Sequence, residues 1–563
     1  MGIPEPAAYL MPSLAIVGID GATYDIIRPM VAAGELPHIA RLLREGASGD
    51  LESEKPPMTP PAWTSMFTGL NPGRHGVFHF IRRKLGTYSC ELNDSRNYAG
   101  KDLMSLLGSR GWSVGALSVP MTYPPFPARD GWMVSGIPMP MKGDTIAWPK
   151  GMVAELEQVL GHPYVPDVNY APYDGDNEKE HDDLEQYERL RTELFAIERD
   201  RLRLTEHFLR NRRTDFFFTV VSITDRCQHY FWKFQDKSHP GWTEEGARRF
   251  GETIRDAYRL ADEFVGLVRS ILGDSVPVAI VSDHGFGPQH WDFHVNQWLE
   301  EEGFLARRMV PYWTWGRVTL GDALRRARLG PLARLLGPVG RLPLVRPKRK
   351  TRADARDVIW SRTRAFGQLH GICVNLQGRE PAGIVAGEDG YRRTLEEVIE
   401  RLRALRGPDG APAVNYTVVK EDYYHGPRTA EAPDLQYQMM GLACIPKEDW
   451  GTSQLFLQRK NAAISGQHRF NGVFAVWAPG VAAGRVIEGM HIQDTAPTLL
   501  YAVRQPVPVW MDGKIRGELI QEPWEPAWDQ IAEPETGAGT AGAFDAADTK
   551  AIEESLRGLG YIQ

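Results

Sequence analysis

The sequence predicts an α/β fold, with a mostly parallel central sheet and helices on both faces. Two observations predict it. Short apolar runs at 13–19, 112–119, 215–221 and 276–281 alternate with stretches of helical spacing, the pattern of strand–helix–strand units. In addition, Asp20, Asp225 and the pair Asp283-His284 follow within four residues of the ends of three of those runs. In such sheets ligands collect at the carboxyl ends of the strands.

Taken in order, Ser13 to Ile19 reads as the first buried strand, closed by Asp20-Gly21. Residues from about Tyr24 to Glu45 carry Ile26, Ile27, Met30, Val31, Ile39, Leu42 and Leu43 at helical spacing. The Pro-rich loop Lys55 to Pro61 precedes a short helix expected from Ala62 to Gly69, and Asn71-Pro72-Gly73 is a turn. A helix over Lys101 to Arg110 and a strand over Trp112 to Val119 follow. Residues near 121–175, rich in Pro, Gly and Met, read as irregular. A polar helix is expected from about Glu178 to Asn211, then a strand over Asp215 to Val221, a helix over Glu244 to Leu272, and the strand Val276 to Val281. Beyond the basic stretch 304–356, Gly371 to Leu376 and Asn471 to Trp477 read as strands, and Tyr391 to Leu405 as an amphipathic helix. Thr536 to Gly542 reads as a linker and Thr549 to Leu559 as a closing helix.

The 563 residues, 42% hydrophobic with formal net charge -7, can bury a large core and argue against general nucleic-acid binding, which favours basic chains. The four cysteines form no CxxC pair, so small buried hydrophobes are their expected role. No basic-then-apolar start and no membrane-length apolar run are found, which gives cytoplasmic as the default location.

The chemistry concentrates where acids and imidazoles meet apolar strands. An acid and a histidine buried side by side in Val281-Ser282-Asp283-His284-Gly285 are unfavourable unless they hold a divalent metal. Asp225 and His229, four apart, share one face of a helix. Such pairs are common on surfaces, but this one follows a strand too apolar to be exposed. His468 alone would be an ordinary loop histidine, and Asp20 alone a helix cap. Together Asp20, Asp225, His229, Asp283, His284 and His468 make a mixed N/O set suited to zinc or manganese, and six ligands suit two ions better than one. Two ions about 4 Å apart can clamp the attacking and leaving oxygens of a phosphoryl displacement. Thr59 is the candidate nucleophile, although capping a helix is the commoner use of such a threonine. A helix start there would also offer free N–H groups to a phosphate.

These parts stand in a recognisable order: Ile19-Asp20-Gly21, Thr59 through Thr68-Gly69-Leu70-Asn71-Pro72-Gly73-Arg74-His75-Gly76, Asp225 to His229, Ser282-Asp283-His284-Gly285, and His468. The order resembles the alkaline phosphatase superfamily, and within it the type I phosphodiesterase/nucleotide pyrophosphatase group. The segment 494–500 is similar to a closing helix of that superfamily. The resemblance implies one metal on Asp225, His229 and His468. It implies another on Asp20, Asp283 and His284, joined by the Thr59 oxygen. It further implies attack by Thr59, a phospho-threonine intermediate and its release by water, with Zn2+ the first expectation and Mn2+ the second. His75 is expected to shape its loop rather than ligate.

The departures bear on substrate. Pro61, Ala62 and Trp63 stand where nucleotide pyrophosphatases usually carry Pro-Asn-His. Val77-Phe78-His79-Phe80 contains no asparagine to hold a phosphate oxygen. Nucleotide specificity therefore does not carry over, core packing is the expected role of Trp63, and the Thr59 to Trp63 stretch lacks the sulfatase pattern. The expected activity is that of a phosphodiesterase on a small phosphoester or a lipid-linked or polymer phosphate. A phosphomutase, phosphonate hydrolase or phosphoryl transferase is the alternative on the same site. The arginine- and lysine-rich stretch 304–356 is expected to be a solvated insertion, and contact with an anionic membrane or polymer is its sharper reading. The domain expectation is a catalytic domain over 13–510 with insertions near 121–211 and 304–356, then a tail over 511–563. The oligomeric state has no signature in the sequence.

Overall fold

The computed structural model describes residues 14–126, 131–170, 173, 183–212, 214–308, 357–449, 454–460, 462–535 and 544–562, with the backbone of 312–319 and 343–350. Leu14–Ile19 is buried along its whole length, as a strand covered on both faces must be. It pairs parallel with Phe216–Val221 on one side and with Val278–Val281 on the other. Val114–Val119 and then Trp132–Ser135 extend the sheet in parallel. On the opposite flank Asn471–Trp477 pairs antiparallel with Val278–Val281 and carries Ala47–Glu52, again antiparallel. With three short edge strands this makes a ten-stranded sheet among the described residues, mostly parallel at its centre. Helices Pro37–Glu45, Leu184–Asn211, Ile223–Gln235 and Thr253–Leu272 pack together in one layer, and Thr59–Thr68, Leu103–Ser109 and Thr495–Ala502 in another group.

Several elements differ from the sequence expectation, each for a local reason. The stretch 24–45 is two helices, Tyr24–Ala32 and Pro37–Glu45, parted at Gly34, which has positive φ, and restarted at Pro37. The expected helix over 244–272 is likewise Glu244–Phe250 and Thr253–Leu272. Ala47–Glu52 is a strand without β-branched residues, held by a half-buried alternating face and three strand partners. Within 121–175, expected to be irregular, lie Trp132–Ser135 and Met152–Leu160. The polar helix begins at Leu184, capped by Asp183; residues 174–182 lie outside the described residues.

A second sheet runs in the order Ala365–Gln368, Gly371–Val374, Leu435–Met439, Cys444–Lys447, Trp291–His294, Phe456–Gln458. It has its own apolar core, with Phe293, Trp298, Ile372 and Leu435 packed with Val398 and Leu402 of helix Gly387–Ala404. In the basic stretch, Tyr312–Thr319 and Pro343–Lys350 pair antiparallel; residues 309–311, 320–342 and 351–356 lie outside the described residues. The chain's last helix is Ala546–Gly558. No helix among the described residues is long and apolar enough to cross a membrane.

Candidate active site

The sheet delivers the acids. Asp20 follows Leu14–Ile19, Asp225 lies in the first turn of the helix after Phe216–Val221, and Asp283-His284 follow Val278–Val281. These are three adjacent parallel strands, so their carboxyl ends converge. His229 stands one helical turn beyond Asp225. His468 arrives on strand Gly466–Arg469, which pairs antiparallel with Gly285–Pro288 so that His468 faces Phe286. All six are buried, at 3% exposure or less.

Two groups result. Asp225, His229 and His468 bring donor atoms within 4.8 Å of one another, and so do Asp20, Asp225 and His284. Asp225 thus stands between the two groups. Asp283 lies alongside the second, with Oδ2 at 3.1 Å from His284 Nε2. Thr59 is the first residue of the buried helix Thr59–Thr68, three residues earlier than expected, and its Oγ1 lies 3.3 Å from His284 Nε2. Its helix start does not present the expected row of free amides. Pro60 and Pro61 have no N–H, and the Ala62 N–H donates to Met58 O at 3.0 Å.

The hydrogen bonds fix the state of the imidazoles. His229 Nδ1 bonds Gly466 O at 3.0 Å, His468 Nδ1 bonds Pro57 O at 2.9 Å, and His284 Nδ1 bonds Gly285 O at 3.2 Å. A carbonyl only accepts, so each Nδ1 carries the proton and each Nε2 presents a lone pair. His229 Nε2 and His468 Nε2 nevertheless face each other at 3.1 Å. Two lone pairs at that separation repel unless a cation lies between them. Asp20 Oδ1, Asp225 Oδ1 and Asp283 Oδ2 are each buried without a hydrogen-bond partner among the described residues. Buried anionic oxygens without partners are costly, and a divalent ion offsets that cost. The donor set therefore fits divalent metal.

The charge distribution of the protein alone agrees. Burial, then the neighbouring Asp225 charge, pushes the Asp20 carboxyl up to about 8. Burial, then Asp20 and Asp225, raises Asp283 well above the usual carboxylate range. Burial also acts to raise Asp225, but the carboxyl lies well below that range, with the Arg226 guanidinium on its Oδ2 among the groups that hold it there. Burial lowers both His284 and His468, which favours their neutral form, the one that binds metal.

The structure also brings in residues without a sequence signal. The buried indole of Trp63 donates from Nε1 to Asp20 Oδ2 at 3.3 Å, so this tryptophan both packs and orients an acid. It fits because Gly18 has no side chain: a Cβ there would meet the ring at 2.5 Å. Arg226 donates to Asp225 Oδ2 at 2.7 Å and to Asp167 Oδ2 at 3.1 Å, a buried cation between two acids. Tyr561, from the far end of the chain, places its hydroxyl 3.3 Å from Thr59 Oγ1. His75 stands apart from these groups. It accepts from Val77 N–H at Nδ1 and bonds Ser65 Oγ at Nε2, holding its turn.

Among solved structures, the chain is similar to phosphonoacetate hydrolase from Sinorhizobium meliloti 1021, with 13% identity, 88% of this chain and 95% of that chain covered, and a TM-score of 0.48. It is also similar to human ectonucleotide pyrophosphatase/phosphodiesterase 5, with 12% identity, 91% and 100% covered, and a TM-score of 0.46. No curated protein matches the chain. The sheet and its acid–imidazole cluster belong to an α/β enzyme that hydrolyses phosphoric esters. Residues 14–468 match the model of the type I phosphodiesterase/nucleotide pyrophosphatase family, and the chain belongs to that family.

Proposed function

We propose that this chain is a two-metal phosphodiesterase that cleaves a small phosphoester through Thr59. The observation that carries the reading is the Thr59 hydroxyl at 3.3 Å from His284 Nε2, beside three buried carboxylate oxygens without hydrogen-bond partners among the described residues. Asp225, His229 and His468 would hold one divalent ion. Asp20, Asp283 and His284 would hold the other, together with the Thr59 oxygen. Mixed imidazole and carboxylate donors favour zinc, with manganese second. Ions bound there supply positive charge that lowers the hydroxyl's pKa and offsets charge on the phosphoryl oxygens.

The chain's own residues do the rest. The Thr59 hydroxyl gives its proton to solvent and its oxygen bonds to phosphorus as the ester P–O bond breaks; the leaving oxygen takes a proton back from solvent and departs as an alcohol. Water then bonds to phosphorus as the P–O bond to Thr59 breaks; the Thr59 oxygen takes up one of that water's protons, and the phosphomonoester leaves. Arg226 holds Asp225, and Trp63 holds Asp20, so the carboxylates keep one orientation through both steps. Nothing at Ala62, Trp63 or Phe80 supplies the polar groups by which the family pattern would favour a nucleotide, so the substrate is defined here by its diester only.

The test is Thr59→Ala, assayed on bis(p-nitrophenyl) phosphate beside a monoester and a phosphonate ester, with metal content read by mass spectrometry. The expected result is loss of diester turnover with both ions retained. Turnover by the variant at the wild-type rate would overturn the covalent mechanism, and a wild-type preference for the monoester or the phosphonate would overturn the diester reading.

A further inference from the structure

The last turn of the chain reaches the nucleophile. Helix Ala546–Gly558 starts on the Asp545 side chain, which accepts from Asp548 N–H at 2.8 Å. It ends at Gly560, whose φ of 77° reverses the chain. There Gly560 N–H donates to Arg557 O and Tyr561 N–H to Leu556 O, both at 2.9 Å. That pair of bonds is the Schellman ending, which places the residue after the glycine back along the helix. The residue so placed is Tyr561.

The seat of this helix is fixed by the site's own scaffold. Ile552 and Leu556 are buried. Tyr230, next to His229 on the helix that carries Asp225, donates its hydroxyl to Gly558 O at 2.6 Å. A Cβ on Gly558 would meet Tyr170 at 2.6 Å, so the helix end lies directly on that residue. Tyr561 is 3% exposed. Its ring packs on Phe80, with centroids 4.7 Å apart, and lies 5.8 Å from the rings of both His229 and His468. Its hydroxyl reaches Thr59 Oγ1 and has no other hydrogen bond among the described residues. Beside the Thr59 hydroxyl, it is thus a polar side-chain group that the ligand set does not include.

The surroundings show why a hydroxyl there matters. Tyr561 forms part of the wall of a cavity of about 240 Å³ lined also by His79, His370 and Arg557. It also forms part of the wall of a second, more apolar cavity beside Pro57, Met58 and Pro446. The phenol stands between the Thr59 hydroxyl and these spaces, lining both cavities and lying 3.3 Å from Thr59 Oγ1. Phosphorus bonded to the Thr59 oxygen brings its non-bridging oxygens alongside that oxygen. A donor already within hydrogen-bond reach of Thr59 Oγ1 can then pass its bond to one of them.

Resting on the reading of Thr59 as nucleophile, we propose that Tyr561 is a catalytic residue: its phenolic O–H donates to the phosphoryl group during transfer to and from Thr59. The phenol keeps its proton throughout, and no bond to it forms or breaks. Such a donor accelerates the reaction because negative charge on the phosphoryl oxygens is greatest in the transition state. The substrate class this adds is a phosphoryl ester whose arms occupy one polar and one apolar space on either side of the tyrosine.

The test uses the full-length, metal-loaded chain with Tyr561→Phe and Tyr561→Ala. The phenylalanine keeps the ring packing on Phe80, so metal content and melting temperature are expected to stay at wild-type values. With bis(p-nitrophenyl) phosphate, Tyr561→Phe is expected to lower kcat by on the order of 10²-fold with little change in KM. Tyr561→Ala is expected to fall at least as far. Calorimetry with inorganic phosphate is expected to show about tenfold weaker binding to Tyr561→Phe. Values of kcat and phosphate affinity within twofold of wild type would overturn the proposal. So would a higher kcat in Tyr561→Ala, which would make the tyrosine a plug instead of a donor. If the wild-type chain leaves the diester intact, the proposed function fails by itself, and the phosphate-binding ratio still decides the role of Tyr561.

Discussion

Arg226→Met tests how the buried charges are balanced. Arg226 is 1% exposed, and its guanidinium bonds Asp225 at 2.7 Å and Asp167 at 3.1 Å. Methionine fills much of the same volume but carries no charge. Asp167 keeps its bonds from Tyr170 O–H at 2.9 Å and Val168 N–H at 2.8 Å, yet loses its counter-ion. Asp225 loses the bond that aims its other oxygen at His229 and His468. Removing one partner of a buried ion pair costs about 3–5 kcal/mol, and this cation has two partners, so the upper half of that range applies. The assay is urea unfolding of the metal-free protein, followed by far-ultraviolet circular dichroism. The double variant Arg226→Met/Asp167→Asn is expected to recover part of the loss, because the stranded charge is gone. Metal affinity is expected to fall about 10- to 100-fold, the usual effect of removing a group that orients a ligand. A stability loss below about 1 kcal/mol, with metal affinity unchanged, would refute the view that Arg226 balances the carboxylates.

Two further outcomes follow from the site. With the metal-free Asp20 carboxyl at about 8, this group is mostly protonated at pH 7, so metal binding is expected to release about one proton there and to strengthen as pH rises towards 8. Because the folded value lies above the ordinary 3.8, the group's stabilisation of the metal-free fold is complete below 3.8 and is lost as pH rises through about 8. Calorimetry in two buffers of different ionisation enthalpy reads the released proton, and identical heats would refute the assignment. Trp63→Phe removes the N–H donor to Asp20 but keeps an aromatic ring against Gly18, so metal affinity is expected to drop about tenfold or more while the fold persists; an unchanged metal titration would exclude the orienting role.

Much of the fold was legible because burial on both faces leaves a plain mark. Leu14–Ile19, Val114–Val119, Phe216–Val221 and Val278–Val281 are continuous apolar runs, and the acids that follow three of them are where parallel sheets gather ligands. Ala47–Glu52 left no such mark, because its strand character comes from its neighbours and not from its residues. The second sheet was only partly visible, as the single run Gly371 to Leu376, since its strands are short and come from segments far apart in the chain.

For the site, the sequence by itself determined which chemistry is available: three acids, three imidazoles and one threonine, in a fixed order along the chain. Asp283-His284 and Asp225 with His229 are local pairs, and the order in which the other groups stand along the chain also survives in one dimension. Tertiary structure alone decided what holds those groups. The carbonyls of Pro57, Gly285 and Gly466 set the histidine tautomers, and a backbone carbonyl is the same at every residue. Arg226 and Trp63 orient the acids only because the chain folds Asp167 and Gly18 against them. Tyr561 meets Thr59 across 502 positions of sequence. No spacing rule spans that distance; the packing of the last helix on Tyr170 and Tyr230 brings the two oxygens together.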